Sequence, residues 1–334
     1  MKARLATFLA LLAAVPLVAA CGSSSDASSG GGRLSLVAYS TPKEAYAALM
    51  PAFNKTPEGK GVSFTQSFGP SGDQSRAVAS GLPADLVALS LAPDVDKLVD
   101  AGKVAKGWDA GPEKGMVTNS VVVFAVRKGN PKNIKTWDDV IKPGVQVIEP
   151  NPFASGGAKW NIMAAYGAQK ALGKSDAEAA DYLDKLFHNV PVQDKSARDA
   201  MTTFTNGKGD VLLAYENEAI AAKQAGQDID YVVPDQTILI QNPIAITSTS
   251  KNAAKAKEFI AFLRSDEGQK IYASKGYRPI KDALVDKSKF PTPSKLFTID
   301  DLGGWTKVND RFFDPQKGVL VAVEQSKGVA TEKS

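Results

Sequence analysis

Four short polar loops, each followed by a helical pattern, contain the residue types best suited to binding chemistry. They are Ser40-Thr41, Ser71-Gly72, Ala154-Ser155-Gly156-Gly157 and Lys195-Ser196-Ala197. The first N–H groups of a helix lack a carbonyl partner within it, and that end carries about half a positive charge. Each loop is therefore suited to bind an anion, and the paired glycines would let the backbone approach it closely. Alternatively, each serine or threonine only caps its own helix, so an anion site requires several loops to converge.

A hydrolytic centre is the alternative use of Ser155. Its partner would be His188, the one histidine in the chain, in a serine–histidine–acid triad. The residues around Ser155 do not form the G-x-S-x-G turn of a nucleophile elbow, and His188 lies near the predicted end of a helix. An exported hydrolase is therefore the minor alternative, and the sequence favours a protein that is not an enzyme.

The composition argues against a metal site, a cofactor or a nucleic-acid partner. One histidine and one cysteine leave few soft ligands for zinc or copper. The formal net charge is +4, and loss of Lys2 and Arg4 with a signal segment would lower it by two. So weak a charge does not favour nucleic-acid binding. We expect a monomer without a cofactor.

The N-terminal segment has the pattern of an export and anchoring signal. Lys2 and Arg4 precede an uncharged apolar stretch, 5–20, as in a signal peptide. The stretch ends at Val18-Ala19-Ala20-Cys21, which resembles a bacterial lipobox, where the chain is cut before the cysteine and the thiol receives a diacylglycerol. Residues 1–20 are thus predicted as signal peptide, and 21–33 as the lipidated Cys21 with a flexible Ser/Gly tether. The folded part would lie outside the cell, anchored to the outer face of its membrane.

Short apolar strands alternate with helical patterns along the rest of the chain, which is typical of an α/β fold. The alternation occurs in two sets and predicts two lobes, 34–119 with 245–334, and 120–244. The strand 120–127 should leave the first lobe and the segment 240–248 should return to it. Capping boxes predict helix starts at Thr41, Ser71 and Ser175. The last dozen residues are rich in Gly, Ser, Lys and Glu and are expected to be frayed.

Several motifs resemble the periplasmic sulfate-binding proteins of bacterial ABC importers, over nearly all of the chain after the tether. The most specific is the run 150–161, PNPFASGGAKWN. Moderately specific segments accompany it: 68–74 (FGPSGDQ), 126–131 (VRKGNP), 141–145 (IKPGV), 209–218 (GDVLLAYENE) and 296–300 (LFTID). The resemblance implies a type II periplasmic-binding-protein fold, an α/β architecture of two lobes with the ligand cleft between them. It also implies delivery of sulfate to the membrane permease subunits of an importer.

The resemblance further implies, position by position, which groups hold the anion between the lobes. The implied ligand-binding residues are Ser40, Ser71, Ser155, Gly156, Gly157, Ala197 and Tyr215. Ser155 and Tyr215 would donate from their side chains, and the other five from their backbone N–H groups. Tyr215 departs from the family, which has a tryptophan there, and Ser40 and Asp73 replace the family's Asp and Lys. Asp73 could accept a ligand proton or repel a dianion, but the sequence favours a solvated charge in a first helical turn.

The chemistry of the ligand favours sulfate for such a pocket. Sulfate carries no proton at neutral pH and only accepts hydrogen bonds, whereas phosphate keeps a proton that needs an acceptor. Because an unpaired buried polar group is costly, a pocket made only of donors prefers sulfate. Thiosulfate, molybdate or tungstate, and phosphate stay open as alternatives, since the sequence separates these anions poorly.

Overall fold

The computed structural model describes residues 32–329 and 331, so the predicted signal segment and Cys21 lie outside the described residues. The strands are β1 (Arg33–Tyr39), β2 (Ser63–Gly69), β3 (Leu86–Ala88), β4 (Met116–Arg127), β5 (Val147–Ile148), β6 (Val211–Tyr215), β7 (Ile229–Val232), β8 (Gln236–Ile246) and β9 (Lys295–Phe297). The helices are α1 (Lys43–Phe53), α2 (Ser71–Ala79), α3 (Ala92–Asp100), α4 (Trp137–Val140), α5 (Gly156–Ala171), α6 (Asp176–His188), α7 (Ala197–Thr205), α8 (Glu216–Gln224), α9 (Ala253–Arg264), α10 (Asp266–Ser274), α11 (Gly304–Val308) and α12 (Val319–Ser326). None of the helices in this part of the chain is both long and apolar enough to cross a membrane.

Parallel strands with crossover helices build the first lobe. β1 lies between β2 and β3 and pairs in parallel with both, with Tyr39 opposite Gly69 at the carboxyl end. Parallel neighbours need a crossover connection, which α1 and α2 provide. The residues just after these strands, Ser40, Ser71 and Ser90, therefore meet at one edge of the sheet. Ligands of open α/β sheets bind at this edge.

Two long antiparallel strands connect the lobes. The first part of β4 pairs with β8, with Ser120 opposite Ile240. The second part of β4 pairs with β6, with Val122 opposite Tyr215, whereas the end of β8 pairs with β3 of the first lobe. Along the path β2-β1-β3-β8-β4-β6-β5, these two strands thus occupy the middle. A movement of one lobe relative to the other has to bend this strand pair.

The C-terminal part of the chain packs on the second lobe, which differs from the expected boundary. The buried cluster that contains Trp137 and Phe187 of the second lobe also contains a set of later apolar residues: Phe297, Ile299, Val308, Phe312, Phe313 and Leu320. β9 pairs with the beginning of β8, which also belongs to this side. The assignment of all of 245–334 to the first lobe is therefore corrected for its last part. The expectation that the last dozen residues are frayed is corrected for 323–326, since α12 runs to Ser326 with Glu324 fully buried; residues 330 and 332–334 lie outside the described residues.

Helix capping agrees with the sequence at one predicted start and differs at two. The capping box at Ser175 is present. The predicted start at Ser71 is confirmed, because α2 begins there, but neither α1 nor α2 has a side-chain cap, and α1 begins at Lys43 and not at Thr41. The hydroxyl of Thr41 instead lies 3.1 Å from that of Tyr277. Tertiary partners therefore bind hydroxyl groups that the local pattern assigned to caps.

Candidate anion-binding site

The polar loop before α5 presents a serine hydroxyl and two backbone N–H groups within one turn. Ser155 is the N-cap of α5, and its Oγ accepts a hydrogen bond from the Ala158 N–H over 3.4 Å. That bond leaves the hydroxyl proton of Ser155 unused, because the oxygen is the acceptor. Gly156 and Gly157 are the first residues of the helix, so their N–H groups have no carbonyl of α5 to bind. This helix start can therefore donate three hydrogen bonds to an anion.

Space, and not backbone conformation, restricts the side chains that fit at positions 156 and 157. Neither residue is among those with a positive φ, so an L side chain could adopt both conformations. A Cβ on Gly156 would lie 2.2 Å from Leu91 Cδ2 of the first lobe, which demands a displacement. A Cβ on Gly157 would lie 3.3 Å from Ala197 Cβ and 3.6 Å from Tyr215 Cε1, which is tight but less severe. The two glycines thus bring the backbone of α5 against both lobes.

A second helix start reaches the same place. Ser196 caps α7 by accepting from the Asp199 N–H over 3.1 Å, and Ala197 is the first residue of the helix. The Ala197 N–H has no acceptor within α7. Because Ala197 lies next to Gly157, the starts of α5 and α7 converge, as the anion hypothesis requires.

The first lobe contributes the start of α2 through its backbone and not through its serine hydroxyl. Ser71 Oγ donates to Asp94 Oδ2 over 2.7 Å and accepts from the Ser90 N–H over 2.9 Å. The Ser71 N–H occupies the first position of α2 and has no acceptor within that helix. α2 touches the loop before α5, because the Gly72 N–H donates to Ala154 O over 3.2 Å. The lobes are therefore in direct contact around the site, which is a closed arrangement.

Tyr215, the last residue of β6, meets a hydroxyl that the sequence analysis missed. Its Oη lies 2.7 Å from Ser90 Oγ of the first lobe. Ser90 is fully buried, and its carbonyl accepts from Trp160 Nε1 and Asn242 Nδ2, each over 2.9 Å. Burial is the main cause that raises the pKa of Tyr215 well above its ordinary value, so the hydroxyl stays protonated. The signal that could have found Ser90 is a serine just after a short buried strand.

Ser40 lies at the carboxyl edge of the first-lobe sheet, where the site is predicted. It follows β1 directly and is half-buried. The ring of its neighbour Tyr39 has its centroid 6.5 Å from that of Tyr215. Ser40 thus shares an edge with Ser71, and its contribution to ligand binding stays a prediction.

The charged groups around the site are paired with each other or buried. Asp73 pairs with Arg76 on α2, which supports its interpretation as a helix-surface charge. Arg198 in the first turn of α7 donates to Glu44 of the first lobe. Burial raises the pKa of Glu218 to about 7, although Arg198 acts to lower it. Among the described residues, no group of His, Cys, Asp or Glu could hold a metal ion.

The histidine considered for a triad lies elsewhere. His188 is the last residue of α6, is exposed, and lines a surface depression with Gln193 and Lys327. Ser155 is buried at the start of α5. A nucleophilic serine needs a base within hydrogen-bond distance, and this pair is not formed in the described part of the chain.

Comparisons with known proteins agree with this architecture. The family model described as bacterial extracellular solute-binding protein matches residues 34–278. A sulfate-binding protein of Synechococcus elongatus is 41% identical, covering 90% of this chain and 90% of its own. A sulfate-binding protein of Escherichia coli is 42% identical over 83% of this chain and 88% of its own. A thiosulfate-binding protein of Pseudomonas aeruginosa is 35% identical, covering 83% of this chain and 88% of its own.

The solved structures give the same result for the fold. The sulfate-binding protein SubI from Mycobacterium tuberculosis has a TM-score of 0.83 and 45% identity, covering 85% of this chain and 100% of that chain. A periplasmic thiamin binding protein, at a TM-score of 0.65 and 16% identity, is similar in fold alone. These similarities confirm the predicted α/β, type II periplasmic-binding-protein fold. This chain belongs to the bacterial extracellular solute-binding proteins, among relatives named as sulfate- and thiosulfate-binding proteins.

Proposed function

We propose that this protein captures sulfate between its two lobes and delivers it to the membrane permease subunits of an ABC importer. The observation that carries the proposal is that the starts of α2, α5 and α7 lie side by side: the Gly72 N–H donates to Ala154 O, and a Cβ on Gly157 would lie 3.3 Å from Ala197 Cβ. The relatives named as sulfate-binding proteins support the same ligand. The protein then acts by binding and release and not as an enzyme, and it needs neither a metal nor a cofactor.

Seven residues would surround the anion and supply only donors. The backbone N–H donors are Ser40, Ser71, Gly156, Gly157 and Ala197, and the hydroxyl donors are Ser155 and Tyr215. A hydrogen bond to a charged group contributes roughly 1.5–3 kcal/mol, so several such bonds offset the desolvation of the dianion. Helix starts add a favourable electrostatic contribution without a full positive charge.

The donor-only surroundings support sulfate over phosphate. Phosphate retains a proton at neutral pH, and a buried donor without an acceptor costs roughly 1–3 kcal/mol. Asp73, the acid considered as such an acceptor, pairs with Arg76 instead. Thiosulfate is the second candidate, because a relative at 35% identity is named for it and its oxygen atoms also only accept. Molybdate and tungstate are larger tetrahedral anions, and the size of the closed cleft would determine whether they fit.

Closure of the lobes would be the working motion. The N–H of Ser71 belongs to one lobe and the start of α5 to the other, so a bound anion connects both. A ligand that binds the closed form better shifts the population towards it. The closed form would then dock on the permease as a monomer.

A calorimetric titration of residues 33–334 with sulfate, thiosulfate, molybdate and phosphate tests the proposal. We expect tight binding of one sulfate per chain, with little heat from phosphate at neutral pH. A preference for phosphate would overturn the donor-only site. Absence of binding to all four anions would overturn the proposed function itself.

We also propose that export and lipidation of Cys21 hold the protein at the outer face of the cell membrane. The proposal is supported by the signal-like segment, the lipobox-like sequence and the extracytoplasmic character of the family. Mass spectrometry of the membrane-extracted protein should show a diacylglycerol on an N-terminal Cys21. A Cys21→Ala variant should lose this mass and appear in the soluble fraction. An unmodified thiol in the membrane-extracted wild type would contradict the anchor.

A further inference from the structure

Ser90 is fully buried, and its backbone N–H, its carbonyl and its hydroxyl all have hydrogen-bond partners. Its N–H donates to Ser71 Oγ over 2.9 Å, and its carbonyl accepts from Trp160 and Asn242. These partners belong to α2, α5 and β8, so both lobes and a connecting strand fix its backbone. The side-chain hydroxyl of Ser90 lies 2.7 Å from that of Tyr215.

The two hydroxyls differ in how readily they donate a hydrogen bond. A phenol is more acidic than an aliphatic hydroxyl and is the better donor, so the proton in the 2.7 Å contact is that of Tyr215, given to Ser90 Oγ. This leaves the proton of the Ser90 hydroxyl for another acceptor.

Ser90 lies against the start of α5, where the proposed function places the anion that would accept its proton. A Cβ on Gly156 would lie 3.0 Å from Ser90 Oγ and 2.7 Å from Ser90 Cβ, so Ser90 packs directly on this glycine. The N–H groups of Gly156 and Gly157 are those that the proposed function assigns to the anion. An anion bound to them would therefore lie beside the Ser90 hydroxyl, and an ionised acceptor forms the stronger hydrogen bonds.

We propose that Ser90 is a ligand-binding residue of this site, the donor that connects the Tyr215 hydroxyl to the bound oxyanion. Tyr215 is then a positioning residue that directs the Ser90 proton, and Ser90 provides the donor at the place where the resemblance implies an indole N–H. The inference rests on the proposed function, because it takes the oxyanion as the acceptor. Ser90 thereby replaces Tyr215 as the direct hydroxyl donor, so the anion still has seven donors, and the cleft becomes polar on the side of the first lobe.

The test is calorimetric titration of sulfate into the wild type, Ser90→Ala, Tyr215→Phe and the double variant, each as the chain 33–334. Loss of one hydrogen bond to a charged acceptor predicts sulfate binding roughly 10- to 100-fold weaker for Ser90→Ala. Tyr215→Phe keeps the Ser90 proton and should weaken binding by less, and the double variant should resemble Ser90→Ala. Ser75→Ala is the matched control, because Ser75 is an equally buried serine whose Oγ bonds Asp94 O over 2.6 Å. It should bind sulfate like the wild type.

The outcomes separate this inference from the proposed function. A larger loss for Tyr215→Phe than for Ser90→Ala would overturn it, since Tyr215 would then donate directly. Additive losses in the double variant would overturn it as well, because two residues that act through one hydrogen bond do not act independently. Failure of the wild type to bind any oxyanion would overturn both the inference and the proposed function. If Ser90→Ala unfolds at room temperature, Ser90→Cys keeps the shape with a weaker donor and should show a loss of the same order, whereas wild-type affinity there would contradict the proposal.

Discussion

Arg198 on α7 and Glu44 on α1 form an ion pair across the cleft. Nη1 donates to Oε1 over 2.8 Å and Nη2 to Oε2 over 2.6 Å, while Nη2 also reaches Thr41 O over 3.1 Å. Burial acts to raise the pKa of Glu44, but the hydrogen bonds and charge of Arg198 outweigh it and lower the pKa. The pair is therefore ionised at neutral pH. It stabilises the closed arrangement without contacting the proposed anion.

The first prediction concerns Glu44→Gln, which removes one charge of this pair. Both side chains are partly exposed, so the pair contributes modestly, and we expect sulfate to be released roughly two- to fivefold faster. Stopped-flow fluorescence with sulfate measures the release rate. Asp266→Asn is the matched control, since it removes a partner of Lys281 within the first lobe. Equal release rates for Glu44→Gln and the wild type would show that the pair does not stabilise the closed form.

The second prediction compares two glycines at the start of α5. Gly156→Ala should weaken sulfate binding more than Gly157→Ala, because its Cβ meets Leu91 at 2.2 Å, whereas that of Gly157 meets Ala197 at 3.3 Å. Displacing packed side chains costs roughly 1–3 kcal/mol, which corresponds to about tenfold or more in affinity. Gly111→Ala, at an exposed glycine with open space around it, should leave the titration unchanged. Equal affinities for the variants at 156 and 157 would contradict this packing argument.

The third prediction separates capping from ligand binding. Ser155 and Ser175 both cap a helix, so Ser155→Ala and Ser175→Ala should each lower the free energy of unfolding by roughly 0.5–2 kcal/mol. Only Ser155→Ala should also weaken sulfate binding, by roughly tenfold or more, because it loses a donor to a charged group. Denaturant unfolding and calorimetry measure the two effects. An affinity that Ser155→Ala leaves intact would remove the hydroxyl from the site.

The fourth prediction concerns the pH dependence of stability. Burial raises the pKa of Glu218 and of Glu324 from 4.5 to about 7. Between these values the folded protein holds protons that the unfolded chain releases. The contribution of these two groups to the free energy of unfolding is therefore complete below pH 4.5 and is lost as the pH rises through 7. Each pKa shift corresponds to a contribution of roughly 3 kcal/mol to the free energy of unfolding.

The melting temperature of the wild type should thus fall between pH 5 and pH 8. It should fall less in the variant with Glu218→Gln and Glu324→Gln, because amides do not titrate. Burial also raises the pKa of Glu149 well above its ordinary value, so part of the fall should persist. Glu267→Gln on the exposed surface of α10 is the control. Identical pH profiles of the melting temperature for the double variant and the wild type would refute the attribution of this fall to Glu218 and Glu324.

The sequence predicts those parts of the fold that local patterns encode. Short apolar runs predict strands such as β1, and the capping box at Ser175 predicts the start of α6. The same pattern places the start of α2 at Ser71, but the expected caps at Thr41 and Ser71 are absent, because their hydroxyls bind Tyr277 and Asp94, residues distant in sequence. A capping pattern does not include such tertiary competitors.

The candidate site is predictable in its parts but not in its assembly. The polar loop at Ser155 indicates an anion-binding helix start, and the resemblance adds Ala197 and Tyr215. Ser90 has no local signal of comparable strength, and it meets Tyr215 across 125 positions of the chain. The packing of the C-terminal segment on the second lobe likewise depends on contacts far apart in sequence, such as Phe312 with Tyr166.

The most direct measurement is an amide ¹H–¹⁵N titration of residues 33–334 with sulfate. The account predicts that the N–H signals of Ser71, Gly156, Gly157 and Ala197 move together to lower field and saturate at one sulfate per chain, because each N–H gains an anionic acceptor. Saturable shifts confined to other parts of the molecule, with these four signals unchanged, would contradict the site.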